Sequence, residues 1–335
     1  MRSRFPLYYH LSEDEKRELF NSKNCFFVFD TNALLDIYRL GKDTADKVLR
    51  LLEKYKDRIV IPNHVAWEYH NHMLGIITEV LSVYDNFLKQ NNKESLLNSI
   101  TTSLRLEHTP SLKRKMEKCL GTAIEELFNE VKGERDYMLS QFQTWGLQNK
   151  LSDALGSKLL DGFDKAAIES IEKDGIDRYA QCVPPGYLDA KEKDTNIYGD
   201  LIIWKEILSF AKNRSCSIIL IGRDMKEDWL QKMHGMICGP RQELLNEFSE
   251  YSPKGKFHIY TLDQFLAFAN ERDNVLDDNE ISEVKDLSTT LIVEKSDVSS
   301  KASIPMKKSF PSEDKAEETM VSKSSITPAD CPKSM

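Results

Sequence analysis

The sequence predicts an α/β fold in which a parallel β-sheet is flanked by helices. Short apolar runs alternate with amphipathic helical stretches, and this alternation is typical of strand–helix–strand units. Of the 335 residues, 40% are hydrophobic and 9% are aromatic, which is the composition of a globular protein. No apolar run approaches the roughly 18 residues that a membrane-spanning helix requires. We therefore expect a globular α/β protein without a membrane span.

Capping signals and apolar runs define the individual elements. Ser12 and Glu15 form a capping-box pattern that predicts a helix over residues 13–22. The run Cys25–Phe29 is apolar throughout, as in a strand that is buried on both faces. We predict further strands at 58–61, 217–221 and 257–260, further helices at 43–56, at 197–212 and from about 262, and a long helix capped by Asn63.

The chain divides into an N-terminal helix (1–23), a main domain (24–270) and a tail (271–335). Between about residues 75 and 180 only helical periodicity is present, which predicts a helical insertion into the main domain. The tail has Phe310 as its one aromatic residue, with 9 Lys and Arg against 14 Asp and Glu. Such a segment buries too little apolar area to offset its ordering entropy. We therefore predict a disordered acidic tail, which is a candidate binding segment for a protein partner.

The overall charge leaves a nucleic-acid partner open. The net charge is -8, but residues 1–270 contain 37 basic and 40 acidic residues and are nearly neutral. The first residues lack the apolar segment of a signal peptide, so we expect a cytoplasmic protein. The six cysteines are widely spaced, unlike the close pairs of structural zinc sites. No G-x-G-x-x-G pattern follows a strand, which argues against a dinucleotide site.

Four acidic residues are predicted to meet at one edge of the sheet. Asp30 and Asp224 follow the first and third strands, Glu68 lies two turns beyond the second, and Asp200 opens the helix before the third. Ligands of open parallel sheets bind at the carboxyl ends of the strands. Neighbouring carboxylates repel one another, and Mg²⁺ or Mn²⁺, which prefer oxygen ligands, would remove that repulsion. Such a site supports metal-assisted attack of water on a phosphodiester.

Each acid also has an ordinary structural interpretation. Asp30 and Asp224 occupy positions where aspartate commonly caps helices or turns. Glu68 could be a solvated residue of a helix face, and Asp200 could interact only with a helix dipole.

Two other kinds of site are weaker hypotheses. His64, Glu68 and His72 share one helical face at a spacing able to hold zinc. An aspartate after a first buried strand is also the nucleophile of haloacid-dehalogenase-type phosphatases, but the second aspartate of that pattern is replaced by Asn32.

Five segments carry a more specific pattern. They are FDTNALL (29–35), IPNHVAWE (61–68), PPGY (184–187), YGDLIIW (198–204) and DMKEDW (224–229). Together they resemble the PIN-like nuclease family, in particular its bacterial branch with a long helical insertion, over about residues 24–250. The resemblance implies a metal-dependent endonuclease that hydrolyses phosphodiester bonds, RNA more readily than DNA, with Mg²⁺ or Mn²⁺. It assigns catalysis and metal binding to Asp30, Glu68, Asp200 and Asp224, a fifth metal-binding position to Asp228, and a supporting hydrogen bond to Asn32.

A basic stretch of the insertion is a candidate substrate-binding surface. Arg105, Lys113, Arg114 and Lys115 could contact nucleic-acid phosphates. The alternative is a solvated helix face on which these charges alternate with acids such as Glu117.

A non-catalytic PIN-like module that binds nucleic acid or protein is the alternative function. Gly222 and Arg223 favour it, because the family usually has a threonine and another polar or acidic residue before the third-strand aspartate. The four acids oppose it.

Overall fold

Four parallel strands form one sheet, which confirms the predicted α/β class. The computed structural model of this protein describes Met1, Arg4, residues 6–103, 109–188, Ala190, 195–223, 226–234 and 236–287. The strands of the sheet are β1 (Cys25–Phe29), β2 (Ile59–Val60), β3 (Ser217–Gly222) and β6 (Phe257–Thr261), and their order across the sheet is β2-β1-β3-β6. A separate antiparallel hairpin consists of β4 (Leu230–Met233) and β5 (Met236–Pro240).

Helices surround the sheet and supply the predicted insertion. They are α1 (Glu13–Asn21), α2 (Thr31–Asp36), α3 (Lys42–Tyr55), α4 (Asn63–Gln90), α5 (Lys93–Ser103), α6 (Pro110–Thr144), α7 (Gly146–Leu155), α8 (Lys165–Ala180), α9 (Gly199–Arg214), α10 (Gln242–Tyr251), α11 (Leu262–Asp273) and α12 (278–287). The insertion is the outer part of α4 together with α5 to α8, and α6 packs on both α4 and α5. Within the ranges that the structure describes, no helix combines the length and the apolar character needed to cross a membrane.

The apolar run of β1 is explained by burial on both faces. The ring of Phe27 lies 4.9 Å from that of Phe20 in α1 and 5.1 Å from that of Phe265 in α11. Phe26 points to the opposite face, where its ring lies 5.2 Å from that of Phe210 in α9. Both faces of a parallel sheet are covered by helices, so its central strands do not alternate apolar and polar residues. Because helices cover both faces of the sheet, a ligand would bind at the carboxyl ends of its central strands, β1 and β3.

The start of α4 differs from the prediction that Asn63 caps it. Asn63 is the first helical residue, and Pro62 at the N-cap makes no side-chain capping bond. The carboxylate of Glu206 in α9 caps the helix instead, since it accepts a hydrogen bond of 3.2 Å from the His64 amide. A cap supplied from 142 residues away leaves no local signal in the sequence.

Helical and buried residues continue beyond residue 271, where the sequence predicts that the tail begins. Leu276 and Val284 are only 4% and 1% exposed. Glu283 accepts hydrogen bonds from the Gly41 amide and from the Thr44 hydroxyl, at the N-terminus of α3. Two apolar contacts and one carboxylate cap thus anchor α12 despite its acidic composition. Residues 288–335 lie outside the described residues, so the disordered tail and its protein partner remain predictions.

Candidate active site

Asp30 lies at the carboxyl end of the two central strands. Its amide donates a hydrogen bond of 2.8 Å to the Ile221 carbonyl, which extends the pairing of β1 with β3 by one residue. Asp30 occupies the N-cap position of α2 without a side-chain capping bond. Asn32 donates to its Oδ2 at 3.4 Å. The carboxylate is therefore held at the sheet edge and is not used as a helix cap.

Glu68 lies in the second turn of α4, with both carboxylate oxygens engaged. The Thr31 hydroxyl donates to Oε2 at 2.6 Å, and the Asn196 side-chain amide donates to Oε1 at 2.6 Å. The Glu68 side chain is 12% exposed. Two neutral donors from different parts of the chain therefore fix the orientation of this carboxylate without neutralising its charge.

The two carboxylates are close enough to repel each other. Burial, and after it the charge of Glu68, raises the pKa of Asp30 to about 6, while hydrogen bonding by Thr31 and Asn32 opposes the shift. A partly buried pair of acids with oxygen donors suits a divalent cation, because the cation would remove the repulsion that raises this pKa. The carboxylates of Asp30 and Glu68 thus have the chemistry that a divalent cation requires of its ligands.

The first turn of α9 brings Asp200 towards this pair. The Trp229 indole donates to Asp200 Oδ2 at 3.2 Å. The preceding residue, Gly199, lies against Glu68 so closely that a Cβ there would be 3.0 Å from Glu68 Oε1 and 2.7 Å from Asn196 Nδ2. A side chain at this position would displace the Asn196 amide from Glu68, so glycine allows α9 to start beside α4 with that contact intact.

Asp228 lies in the interior and holds a loop. It is 0% exposed, and its Oδ2 accepts hydrogen bonds from the amides of Gly186 (2.8 Å) and Leu188 (3.3 Å). Gly186 has a φ of +91°, and a Cβ there would be 3.0 Å from Cβ of Asp200. The PPGY segment is thus a turn packed against Asp200, and its Tyr187 is only 8% exposed.

Arg223, the residue after β3, points into the protein. Its guanidinium donates to Asp36 Oδ1 at 2.6 Å, and the two side chains are 6% and 1% exposed. Burial raises the pKa of Asp36, an effect that Arg223 and Arg39 oppose. Arg223 therefore neutralises a buried carboxylate of α2 below the sheet edge.

His64 and Trp67 extend the site along α4. His64 Nε2 lies 3.0 Å from Asn196 Oδ1 and 3.6 Å from Glu68 Oε1. The Trp67 ring lies 5.3 Å from the His64 ring. His72, the other histidine of the zinc hypothesis, is exposed. Among the described residues no group of three or more His, Cys, Asp or Glu is arranged to hold a metal ion.

Some predicted site residues fall elsewhere. Asp224 and Arg105 lie outside the described residues. In the first turns of α6, Arg114 and Lys115 are exposed, and Lys113 Nζ lies 3.9 Å from a carboxylate oxygen of Glu117. The described part of the basic stretch, residues 113–115, is therefore solvent-accessible, and Lys113 has an acidic neighbour.

Sequence reasoning missed three polar residues of this region. Thr31 lies between Asp30 and Asn32, two predicted site residues, and this position in the sequence could have indicated its role. Asn196 reaches Glu68 across 128 positions and Asp36 reaches Arg223 across 187, and no local pattern marks either contact.

Glu206 connects the two helices that carry Glu68 and Asp200, and its burial predicts a pH effect. Burial raises the pKa of Glu206 to about 7, with hydrogen bonds from the His64 and Asn63 amides opposing the shift. The native state then retains this proton to higher pH than the unfolded chain. The contribution of Glu206 to the free energy of unfolding therefore falls as the pH rises from about 4.5 to 7, by on the order of 3 kcal/mol.

Glu206→Gln should remove this dependence. We expect the free energy of urea unfolding of the variant, relative to wild type, to rise between pH 4.5 and pH 7 and to stay level above pH 7. Glu250→Gln, at an exposed position of α10, is the control and should track wild type. A constant difference between Glu206→Gln and wild type across this range would contradict the assignment.

Comparison with known protein families agrees with this architecture. A family profile described as a PIN-like domain matches residues 26–244, about two thirds of the chain. Neither the curated proteins nor the solved structures gave a match to the chain. PIN-like domains are in general nucleases that bind nucleic acid, and PIN domains typically use divalent metals. The extent of the match, over a parallel sheet with acids at its carboxyl edge, shows that this chain belongs to the PIN-like domain family.

Proposed function

We propose that this protein is a metal-dependent endonuclease that hydrolyses phosphodiester bonds, with RNA as its preferred substrate. The observation that carries the proposal is the repelling pair Asp30 and Glu68 at the carboxyl edge of the sheet, with Asp200 on the adjoining helix end. Such an arrangement raises the free energy of the metal-free site and is relieved by a cation. Membership of a family that generally consists of nucleases agrees with it.

Asp30, Glu68, Asp200 and Asp224 are the residues that would hold Mg²⁺ or Mn²⁺. When bound, the ion would lower the pKa of a water molecule and neutralise charge on a phosphate oxygen. Thr31 and Asn196 keep the Glu68 carboxylate oriented through their hydrogen bonds. We assign Asp228 to anchoring the 186–188 turn beside Asp200, because its carboxylate is buried among the amides of that turn.

The non-catalytic alternative loses the argument that the sequence offered for it. Arg223, the sequence feature that suggested this module, is buried against Asp36 and so does not present its charge to a ligand.

Cleavage assays separate the two functions. Purified protein is incubated with labelled single- and double-stranded RNA and DNA in Mg²⁺, Mn²⁺ or EDTA. The nuclease proposal expects cleavage with Mg²⁺ or Mn²⁺, none with EDTA, and faster cleavage of RNA than of DNA. Glu68→Gln, purified identically, should lose the activity, which excludes a contaminating nuclease. Binding of nucleic acid without cleavage under every condition would leave the binding module.

The basic stretch of the insertion gives a prediction about affinity. If Arg105, Lys113, Arg114 and Lys115 contact phosphates, their joint replacement by Gln should weaken nucleic-acid binding. The slope of log affinity against log salt should flatten by about 0.7 to 0.9 for each phosphate that the variant no longer neutralises.

The control for this variant has the same change in net charge. Its Gln substitutions are at four exposed lysines away from that stretch, Lys132, Lys165, Lys173 and Lys254. Equal slopes for the two variants would show that the four residues of the basic stretch are ordinary solvated charges.

A further inference from the structure

Trp67 is a large aromatic residue on the surface beside the candidate active site. Its side chain is 53% exposed, whereas its helical neighbours Val65 and Tyr69 are 0% and 7% exposed. Trp204 and Trp229 are in the interior, at 0% and 6%. The Trp67 indole is therefore not needed to fill the core, and an isolated exposed aromatic residue would need no functional explanation.

The surroundings of Trp67 distinguish it from an ordinary exposed residue. It precedes Glu68, and its ring lies on that of His64 at a centroid distance of 5.3 Å and an interplanar angle of 33°. His64 in turn lies 3.0 Å from the Asn196 oxygen, and Asn196 donates to Glu68. A continuous set of contacts thus connects the exposed indole to the carboxylate.

This arrangement holds the indole in place next to the acids. One part of the ring system contacts His64, and the exposed part is open to a planar ligand. Nucleobases stack on such aromatic surfaces with little dependence on base identity. A nucleotide carries its base and its phosphate on one sugar, so a base on Trp67 would bring neighbouring phosphates to Glu68.

We propose that Trp67 stacks an unpaired nucleobase of the substrate and thereby makes the site selective for single-stranded nucleic acid. The inference rests on the proposed nuclease function and names its substrate class. In a duplex each base is already stacked between its neighbours, so no base face is free to contact the indole. Trp67 is thus a specificity-determining residue.

The test compares Trp67→Leu with two other variants. Trp67→Phe keeps an aromatic ring at the same position. Trp145→Leu removes the other exposed tryptophan, which is 44% exposed and packs on Phe142 at a ring distance of 5.6 Å. Binding of labelled single- and double-stranded oligonucleotides is measured by fluorescence anisotropy in EDTA, and kcat and KM for cleavage are measured in Mn²⁺.

Trp67→Leu should bind single strands about 5- to 150-fold more weakly than wild type, the effect of losing about 1 to 3 kcal/mol of base stacking. Binding to duplex should be unchanged. Trp67→Phe should recover most of the affinity, and Trp145→Leu should match wild type. In cleavage, the loss should appear mainly in KM for single strands, because stacking is present before and during the reaction.

Three outcomes would overturn the proposal. The first is unchanged single-strand affinity and KM in Trp67→Leu, and the second is an equal loss for single strands and duplex. If wild type cleaves in either case, the nuclease function stands without the stacking role. The third is a change in the sedimentation of the nucleic-acid-free Trp67→Leu protein with intact binding, which would assign Trp67 to a protein contact. A wild-type protein that neither binds nor cleaves nucleic acid would remove both proposals.

Discussion

Asp30→Asn should make the metal-free protein more stable and inactive at the same time. Burial and the charge of Glu68 raise the pKa of Asp30, so ionised Asp30 destabilises the apoprotein at neutral pH. An asparagine has nearly the same shape without the charge. We expect a gain in the free energy of unfolding on the order of 2 kcal/mol at pH 7.5 in EDTA.

The same substitution should remove most of the stabilisation by metal. A cation that binds only the folded protein stabilises it by RT ln(1 + [L]/Kd), so a weaker site should give a much smaller rise in melting temperature with Mn²⁺ in the variant than the rise we expect for wild type. Cleavage should fall by at least about 100-fold, since the site then has one fewer of the carboxylates that we propose hold the metal. Asp200→Asn should likewise reduce both the Mn²⁺ shift and cleavage.

The control is Asp46→Asn, at a partly exposed aspartate of α3 that pairs with Lys150. It should change neither the Mn²⁺ response nor the activity. If Asp30→Asn and Asp200→Asn both cut at the wild-type rate and show the wild-type Mn²⁺ shift, the carboxylate mechanism is wrong.

Arg223→Met should strongly destabilise the folded protein. It leaves the carboxylate of Asp36, which is 1% exposed, without its partner at 2.6 Å. Removing one member of a buried ion pair typically costs about 3 to 5 kcal/mol. We expect a loss of about 3 kcal/mol, towards the lower end of that range, because Arg39 still reaches Asp36 Oδ1 at 3.3 Å.

The double variant Asp36→Asn, Arg223→Met tests the cause of this loss. Removing both charges avoids an unpaired buried carboxylate, so the double variant should be clearly more stable than Arg223→Met alone. The surface pair of Lys150 with Asp46 is the control, and Lys150→Met should cost less than about 1 kcal/mol. The free energy of unfolding of Arg223→Met, the double variant and Lys150→Met is measured by urea denaturation. Equal losses in Arg223→Met and the double variant would show that the apolar contacts of Arg223 are the source of its contribution.

The sequence alone determined the fold class and the positions of the main elements. The capping box of Ser12 is present, and the predicted Cys25–Phe29 strand is β1 with the same bounds. These features depend on local hydrogen bonds and on burial from both faces, so a short stretch of sequence records them. The family resemblance, carried by five short segments in order, is also confirmed.

Other features arose only from tertiary contacts. The hairpin of β4 and β5 lacks an alternating apolar pattern, since Leu230 is buried and the rest of β4 is exposed. The composition of the acidic helix α12 is that of a disordered segment, so the sequence predicts that it belongs to the tail. Leu276, Val284 and Glu283 anchor it to the main domain. The partners in these contacts lie far away in the sequence, so the composition of the tail does not reveal them.

In the candidate site, the acidic residues could be predicted from the sequence, whereas their hydrogen-bond and ion-pair partners are evident only in the tertiary structure. The position after a strand indicates that Asp30 lies at the sheet edge, because strand direction is a local property. The hydrogen bond from Asn196 to Glu68 and the ion pair of Arg223 with Asp36 join residues 128 and 187 positions apart. Contacts of this kind depend on how helices pack across the sheet. Only the folded chain therefore decides which acids are oriented for a cation and which basic residues are buried as partners.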